Sequence, residues 1–219
     1  MSFDYHGCFI LGKDPISAAV LEGTLRSFGL TFAGASRSLV YEAGSTKAHY
    51  VPTRDWAAFI SDGNGPTPSA FGYVEAKEFR FDFGFVTLPG LLDGQAPLDG
   101  LVRAAWLDIS DQQLYSMGFA LEDHESNPLK FFVALHRALN ASSMAFGMET
   151  NAQQLLKFFS GQLPTPEVHE YISVAIAPPP ESAAAMRVAG ALREIDVDGV
   201  HVFTGYLSGL EEYFPELNA

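Results

Sequence analysis

The sequence predicts an α+β protein, with a mixed or mainly antiparallel sheet and helices packed on one or both of its faces. Two patterns point to it. Phe79, Phe81, Phe83 and Phe85 alternate with Glu78, Arg80, Asp82 and Gly84, and a period of two places the four rings on one face of a strand and the charged residues on the other. Elsewhere apolar residues recur at helical spacing behind Asp14-Pro15 and Asn127-Pro128, each an N-cap followed by a proline suited to the first helical turn.

The chain opens as strand, helix, strand. Residues 7–11 are a short apolar run; Asp14 and Pro15 then start a helix through Leu21, Leu25 and Phe28 that Gly29 ends, and residues 30–32 resume as a strand. Segments 39–42 and 47–51 are further strands, joined near Gly44-Ser45 in an antiparallel meander, and Thr53 caps a short helix through Trp56 and Phe59. Glycine and proline interrupt regular structure across residues 62–69 and again across 89–100. The first of these loops is at most a weak boundary, so the expectation is a single domain over residues 1–219.

An apolar stretch around Trp106 precedes the helix opened by Asn127-Pro128, whose Phe131, Phe132, Val133, Leu135 and Leu139 mark it as buried. Residues 144–149 form a strand, and Asn151 opens a helix carrying Leu155, Leu156, Phe158 and Phe159 until Gly161. Pro164 and Pro166 lead into a strand at 171–177, closed by Pro178-Pro179-Pro180; an Ala-rich helix at 182–193 and a strand at 200–203 follow. Ser208 and Glu211 have capping-box spacing for a last helix over Leu210 and Phe214. This closing strand, helix and strand repeat the opening in outline, with Ser17-Ala18-Ala19 resembling Ser182-Ala183-Ala184, an identity too slight to establish duplication.

Charge restricts the partner class. Residues 108–219 carry fifteen acids against five bases, residues 1–107 eleven against eight, and the formal net charge is −13. Such a field repels nucleic acid and anionic membrane and speeds encounter with basic proteins. The single Cys8 cannot close an internal disulfide, the first residues lack a basic stretch, and no apolar run reaches the ~18 residues of a spanning helix. A soluble cytoplasmic protein is the expectation.

Motifs for cofactors fail on inspection, and no cofactor or metal is expected. Gly12-Lys13 lacks the rest of a phosphate loop, Gly44-Ser45-Thr46-Lys47 has the residues in the wrong order, and Gly63-Asn64-Gly65 lacks the strand-to-helix context of a dinucleotide site. Gly34-Ala35-Ser36-Arg37-Ser38 lacks the second glycine of a nucleophile elbow, so Ser36 reads as a turn residue. His6 and Cys8 would share a strand face and make a thiolate pair, but a lone Cys in an apolar run is most often core. His136, on the stripe of Leu129, Phe132 and Val133, reads as a core histidine bonded to a backbone carbonyl. Glu122-Asp123-His124-Glu125 has ligand-type side chains, yet adjacent residues do not easily converge on one ion.

In size, charge and lack of catalytic motif the chain resembles immunity proteins, which neutralise secreted toxins whose active sites are often basic. No residue motif carries that resemblance. It implies a basic protein partner such as a secreted toxin domain, no nucleic acid and no membrane, with Glu122, Asp123, Glu125, Glu194, Asp196, Asp198, Glu211, Glu212 and Glu216 as the partner-binding acids. The alternatives are a hydrolase-type enzyme with sequence-dispersed residues, His6 with Cys8 or the acids near Glu122, and a subunit that pairs through a sheet edge. Limited proteolysis is expected to nick the chain near residues 63–69 without releasing two folded fragments; recovery of two independently folding pieces would refute the single-domain expectation.

Overall fold

The computed structural model describes residues 4–41, 48–51, 55–65, 70–75, 80–88, 102–110, 128–148, 150–189 and 193–204. In chain order these form β1 (Asp4–Leu11), α1 (Ala18–Ser27), β2 (Thr31–Tyr41), β3 (Ala48–Val51), α2 (Trp56–Gly63), β4 (Ala70–Glu75), β5 (Arg80–Thr87), β6 (Arg103–Ser110), α3 (Pro128–Ala138), β7 (Ala141–Met148), α4 (Ala152–Phe159), α5 (Thr165–Tyr171), β8 (Val174–Ile176), α6 (Pro180–Val188), β9 (Arg193–Val197) and β10 (Val200–Thr204). The strands make one sheet in the order β3-β2-β4-β5-β6-β1-β7-β8-β10-β9, with every neighbouring pair antiparallel. The α+β class with an antiparallel sheet is as the patterning predicts.

Strand alternation sorts the core into two layers. On one face Tyr5 and Phe9, Phe81, Phe83 and Phe85, Leu107 and Ile109, and Met144 and Phe146 meet Leu21 and Leu25 of α1, Phe59 of α2, and Leu129, Phe132 and Leu135 of α3. On the other, Cys8, Ala104, Ala145 and Ala175 lie under Leu155 and Phe158 of α4, Val168 of α5, and Ala183 and Met186 of α6. Rings carry much of the first layer: Phe146 stacks on Tyr5 at 5.5 Å and meets Phe132 at 4.9 Å, and Phe28 meets Phe131 edge-on at 5.3 Å. Each fully buried Phe contributes roughly 1.5–3 kcal/mol by area removed from water. The small residues on the second face let α4, α5 and α6 approach the sheet closely.

Local signals and tertiary contacts disagree at several element ends. α1 begins at Ala18 with Ser17 as its cap, the hydroxyl accepting from the Val20 N–H, and not at Asp14-Pro15. The cause is Asn64, whose side chain accepts from the Ile16 N–H at 2.8 Å and donates to the Ile16 carbonyl at 3.0 Å, so that Ile16 is held against the core ahead of the helix. At the other end the expected stop holds. Gly29 has φ +70, its N–H meets the Arg26 carbonyl, and the Leu30 N–H reaches back to Leu25, the Schellman arrangement. α2 is capped by Asp55, which accepts from the Ala58 N–H at 2.8 Å.

Residues 34–38 lie within one long strand, β2, and do not form a turn; register shifts between Phe32 and Gly34 and between Ala35 and Arg37 absorb the irregularity as bulges. Residues 165–171 form α5, because Pro164 and Pro166 fall at its start, where a missing N–H costs nothing. The strand that follows is correspondingly short. α6 ends at Val188, and residues 193–197 form β9, paired with β10 across Asp198 (φ +53) and Gly199 (φ +80), the conformation of a two-residue type I′ hairpin turn. Thr53 is not the cap of α2, since Asp55 takes that place next to the first helical residue; the expected cap Asn127, the loop at 89–100 and the helix at Ser208 and Glu211 lie outside the described residues.

Gly147 marks the closest approach between layers. A Cβ there would overlap the Tyr171 carbonyl oxygen, which also accepts from Thr150 Oγ1 at 2.7 Å, while the Ser173 N–H donates to the Phe146 carbonyl at 2.8 Å. Gly147→Ala is therefore expected to destabilise by about 2–3 kcal/mol through overpacking. Gly23→Ala in α1, where a Cβ meets nothing within 4 Å, should stabilise by roughly 0.5–1 kcal/mol. Urea midpoints of both variants check the pair, and equal effects would contradict the close approach.

Candidate functional site

The sheet is not equally covered on its second face. β1, β7, β8 and β10 lie under α4, α5 and α6 there, whereas β4, β5 and the adjoining part of β6 present Tyr73, Glu75, Arg80, Asp82 and Asp108 half-buried or exposed, with no described helix over them. The same strands are buried on the opposite face through Val74, Phe81, Phe83 and Leu107.

Register builds a row across this open area. Tyr73 of β4 pairs with Asp82 of β5, Asp82 with Asp108 of β6, and Asp108 with His6 of β1. Directly opposed residues of an antiparallel pair project to the same side, so the four side chains stand in line, one strand spacing of ~4.7–4.9 Å apart. A second row runs beside it through Phe71, Gly84, Trp106 and Cys8. Gly84 is needed there, because a Cβ would overlap the Phe71 ring and the Ala70 carbonyl. His6 and Trp106 rings lie 5.6 Å apart, and the Arg80 guanidinium sits 3.4 Å from the centre of the Tyr73 ring.

Two carboxylates facing each other across a ladder repel. Partial burial first, and the Asp108 charge second, push the Asp82 carboxyl above its ordinary range; Arg80 opposes the shift without cancelling it. His6 Nδ1 comes to 3.3 Å from Asp108 Oδ1 but without hydrogen-bond geometry. Among the described residues no group of three or more His, Cys, Asp or Glu is placed to hold a metal ion, as a straight row across strands would lead one to expect.

The residues singled out in the sequence fall in different places. His6 and Cys8 do share a strand face, but Cys8 is fully buried and burial pushes its thiol far above the usual range, so no thiolate is available at neutral pH. His136 has both ring nitrogens buried without a hydrogen-bond partner, not bonded to a carbonyl as expected, and burial followed by Arg137 pushes its pKa down. Glu194, Asp196 and Asp198 come together on the β9–β10 hairpin. Glu194 pairs with Arg187, whose Nη2 is 3.2 Å from Oε2, and with His201 at 3.1 Å; the Arg187 hydrogen bond holds its carboxyl below the usual range. Asp196 accepts from the Gly199 N–H at 2.7 Å and so braces the turn, while the Asp198 carbonyl accepts from Arg137. Glu122, Asp123, Glu125, Glu211, Glu212 and Glu216 lie outside the described residues.

Asp82 and Asp108 were not among those candidates. The alternation around the phenylalanines already placed Asp82 on the polar face of its strand; only the register, joining segments far apart in sequence, sets Asp108 opposite it.

No protein-family model matches the chain, and no curated protein matches it. Among solved structures the chain is similar to the Pseudomonas aeruginosa T6SS protein PA0821, at 11% identity over 95% of this chain and 71% of that one, with a TM-score of 0.43. A likeness of that extent carries no functional argument.

The opposed carboxylates make a stability prediction. A carboxyl whose folded pKa lies above its unfolded value stabilises fully below the unfolded pKa and loses that contribution as pH rises through the folded pKa. Asp82→Asn should therefore be more stable than the parent at pH 7, by roughly 0.2–1 kcal/mol and toward the lower end because solvent screens the pair. The gain should vanish near pH ~3, where both carboxyls take up protons. Urea denaturation at the two pH values measures it, and a loss of stability at pH 7 would show that Asp82 is paired favourably.

Proposed function

We propose that this is an acidic binding protein of the cytoplasm that neutralises a basic protein by covering its active surface, as immunity proteins do to toxins. One observation supports the reading: where no described helix covers the sheet, Tyr73 stands in line with the opposed Asp82 and Asp108, on a chain of formal net charge −13. Aromatic anchors supply affinity when desolvated, and acids beside them select for positive charge. The acids of the second half, Glu122, Asp123, Glu125, Glu194, Asp196, Asp198, Glu211, Glu212 and Glu216, act in this reading on encounter, raising the association rate with a basic toxin domain.

The test is kinetic. Basic proteins recovered with the chain from its source cell are assayed against two charge-reversed variants, Glu122, Asp123 and Glu125 to Lys in one and Glu211, Glu212 and Glu216 to Lys in the other. Both variants should associate several-fold more slowly at low salt with little change in dissociation, and the difference should shrink as the Debye length falls from ~10 Å at 0.1 M to ~3 Å at 1 M. Wild-type kinetics in both would reduce the acidic surface to a solubility device.

A further inference from the structure

We infer that the junction between the last turn of α3 and the β9–β10 hairpin opens in mild acid, with His136 as the group whose protonation opens it. His136 lies in that turn, and both of its ring nitrogens are shielded from water without a hydrogen-bond partner. A neutral imidazole carries one N–H and one lone pair, so neither is satisfied, and an imidazolium would add a second unanswered N–H and a charge. Buried polar groups are nearly always paired, and an exception at a titratable ring calls for a reason. The adjoining Arg137 ties the helix to the hairpin: its guanidinium donates to the carbonyl of Asp198 in the turn between β9 and β10, and Val197 beside that turn shares a core cluster with Val133 of α3. This device is independent of whether the hairpin acids meet a partner.

Among the described residues no element packed against α3 supplies a counter-charge. α3 meets α1, β7 and β9. On α1 the charged groups are Glu22 and Arg26, which pair with each other, and β7 has none. On β9 Glu194 is held by Arg187 and His201, Asp196 accepts from the Gly199 N–H, and Arg193 makes contacts of its own. Lys13 and Asp14, in the connection that Asn140 touches through the Pro15 carbonyl, are exposed, as is Lys130 two turns earlier on α3. Burial, and after it the like charge of Arg137, hold the pKa of His136 below its ordinary value. They outweigh the partial negative charge of the helix C-terminus, which would favour a cation. A histidine depressed in this way is neutral while the junction is closed and takes up a proton once its ring reaches water. The stability it supports is complete above the unfolded value of ~6.5 and is lost as pH falls toward the folded one, so the open population grows by up to about tenfold per pH unit in that interval. Opening breaks the Arg137 contact, and the hairpin loosens with the turn.

Hydrogen exchange of the full-length protein at pH ~7.5 and ~5.5, corrected for the intrinsic pH dependence of exchange, reads the junction directly. The reporters are the Leu139 and Asn140 N–H groups, bonded to the Leu135 and Arg137 carbonyls; the control is the N–H of Ser173, just after α5, bonded to the Phe146 carbonyl. Protection of the two reporters should fall about three- to tenfold between the two pH values, and that of Ser173 by less than about twofold. In His136→Gln, whose amide does not titrate, the reporters should be equally protected at both. The parent protein supplies a second measurement that needs no variant: by long-range proton–nitrogen NMR its His136 imidazole should take up a proton at lower pH than the same residue in the urea-unfolded chain. Titration at or above the unfolded value overturns the inference. So does reporter protection unchanged in the parent, a loss that persists in His136→Gln, or a loss shared equally by Ser173.

Discussion

β1 is hydrogen-bonded on both sides, with Tyr5 opposite Ile109 of β6 on one flank and Met148 of β7 on the other. A strand paired on both edges and largely buried on its faces leaves its backbone groups to its neighbours, so its ladders must be complete for either layer of the core to close. Its residues alternate accordingly: Tyr5 and Phe9 enter the aromatic layer, and Cys8 enters the layer under α4, α5 and α6. Between them Gly7 leaves room for Leu107 and Phe146, each 3.2 Å from where a Cβ would stand. The halves of the chain therefore meet along this strand, and the position of Asp108 relative to His6 follows from the same register.

The unequal covering of the second face follows from chain order. All three helices that cover it come after β7, and among the described residues the Tyr73–Glu75 end of β4 and the Arg80–Asp82 end of β5 are left open on that side, while Val86 further along β5 is buried in the second layer. An open sheet face can be made soluble with scattered polar residues. Here it carries two acids in direct opposition, an arrangement that costs stability in the folded protein. Glu194 and Asp196 show the other way of placing acids, since one is neutralised by Arg187 and the other is used to brace a turn.

Period and composition were enough to identify the aromatic strand, the buried α3 and the start of α4 at Asn151, where the structure adds a capping box in which Asn151 and Gln154 satisfy each other's backbone N–H groups. Those signals are local and the structure obeys them. Errors arose where two local signals compete or where a distant residue decides. Asp14-Pro15 and Ser17 are both sound helix starts, and the choice is made by Asn64, forty-eight residues away from Ile16. Pro164 and Pro166 were legible as interruptions, yet a proline in the first turn also begins helices. β9 escaped because Glu194 and Asp196 occupy its exposed positions at the sheet edge, so its alternation resembled a charged loop. Of the candidate site, the polar faces of β1 and β5 were legible; the opposition of Asp82 and Asp108 was not, because a ladder register between separated segments has no local trace.

A central strand whose two partners lie far downstream also sets a timetable for synthesis. Residues 4–11 leave the ribosome well before their partners, which emerge about a hundred residues later at 103–110 and further on at 141–148. At ~5–20 residues per second, β1 waits on the order of ten seconds with Tyr5, Phe9 and Leu11 unsheltered. The sheet thus cannot close around β1 until β7 has emerged, and β1 is the strand a nascent-chain chaperone would be called on to hold meanwhile.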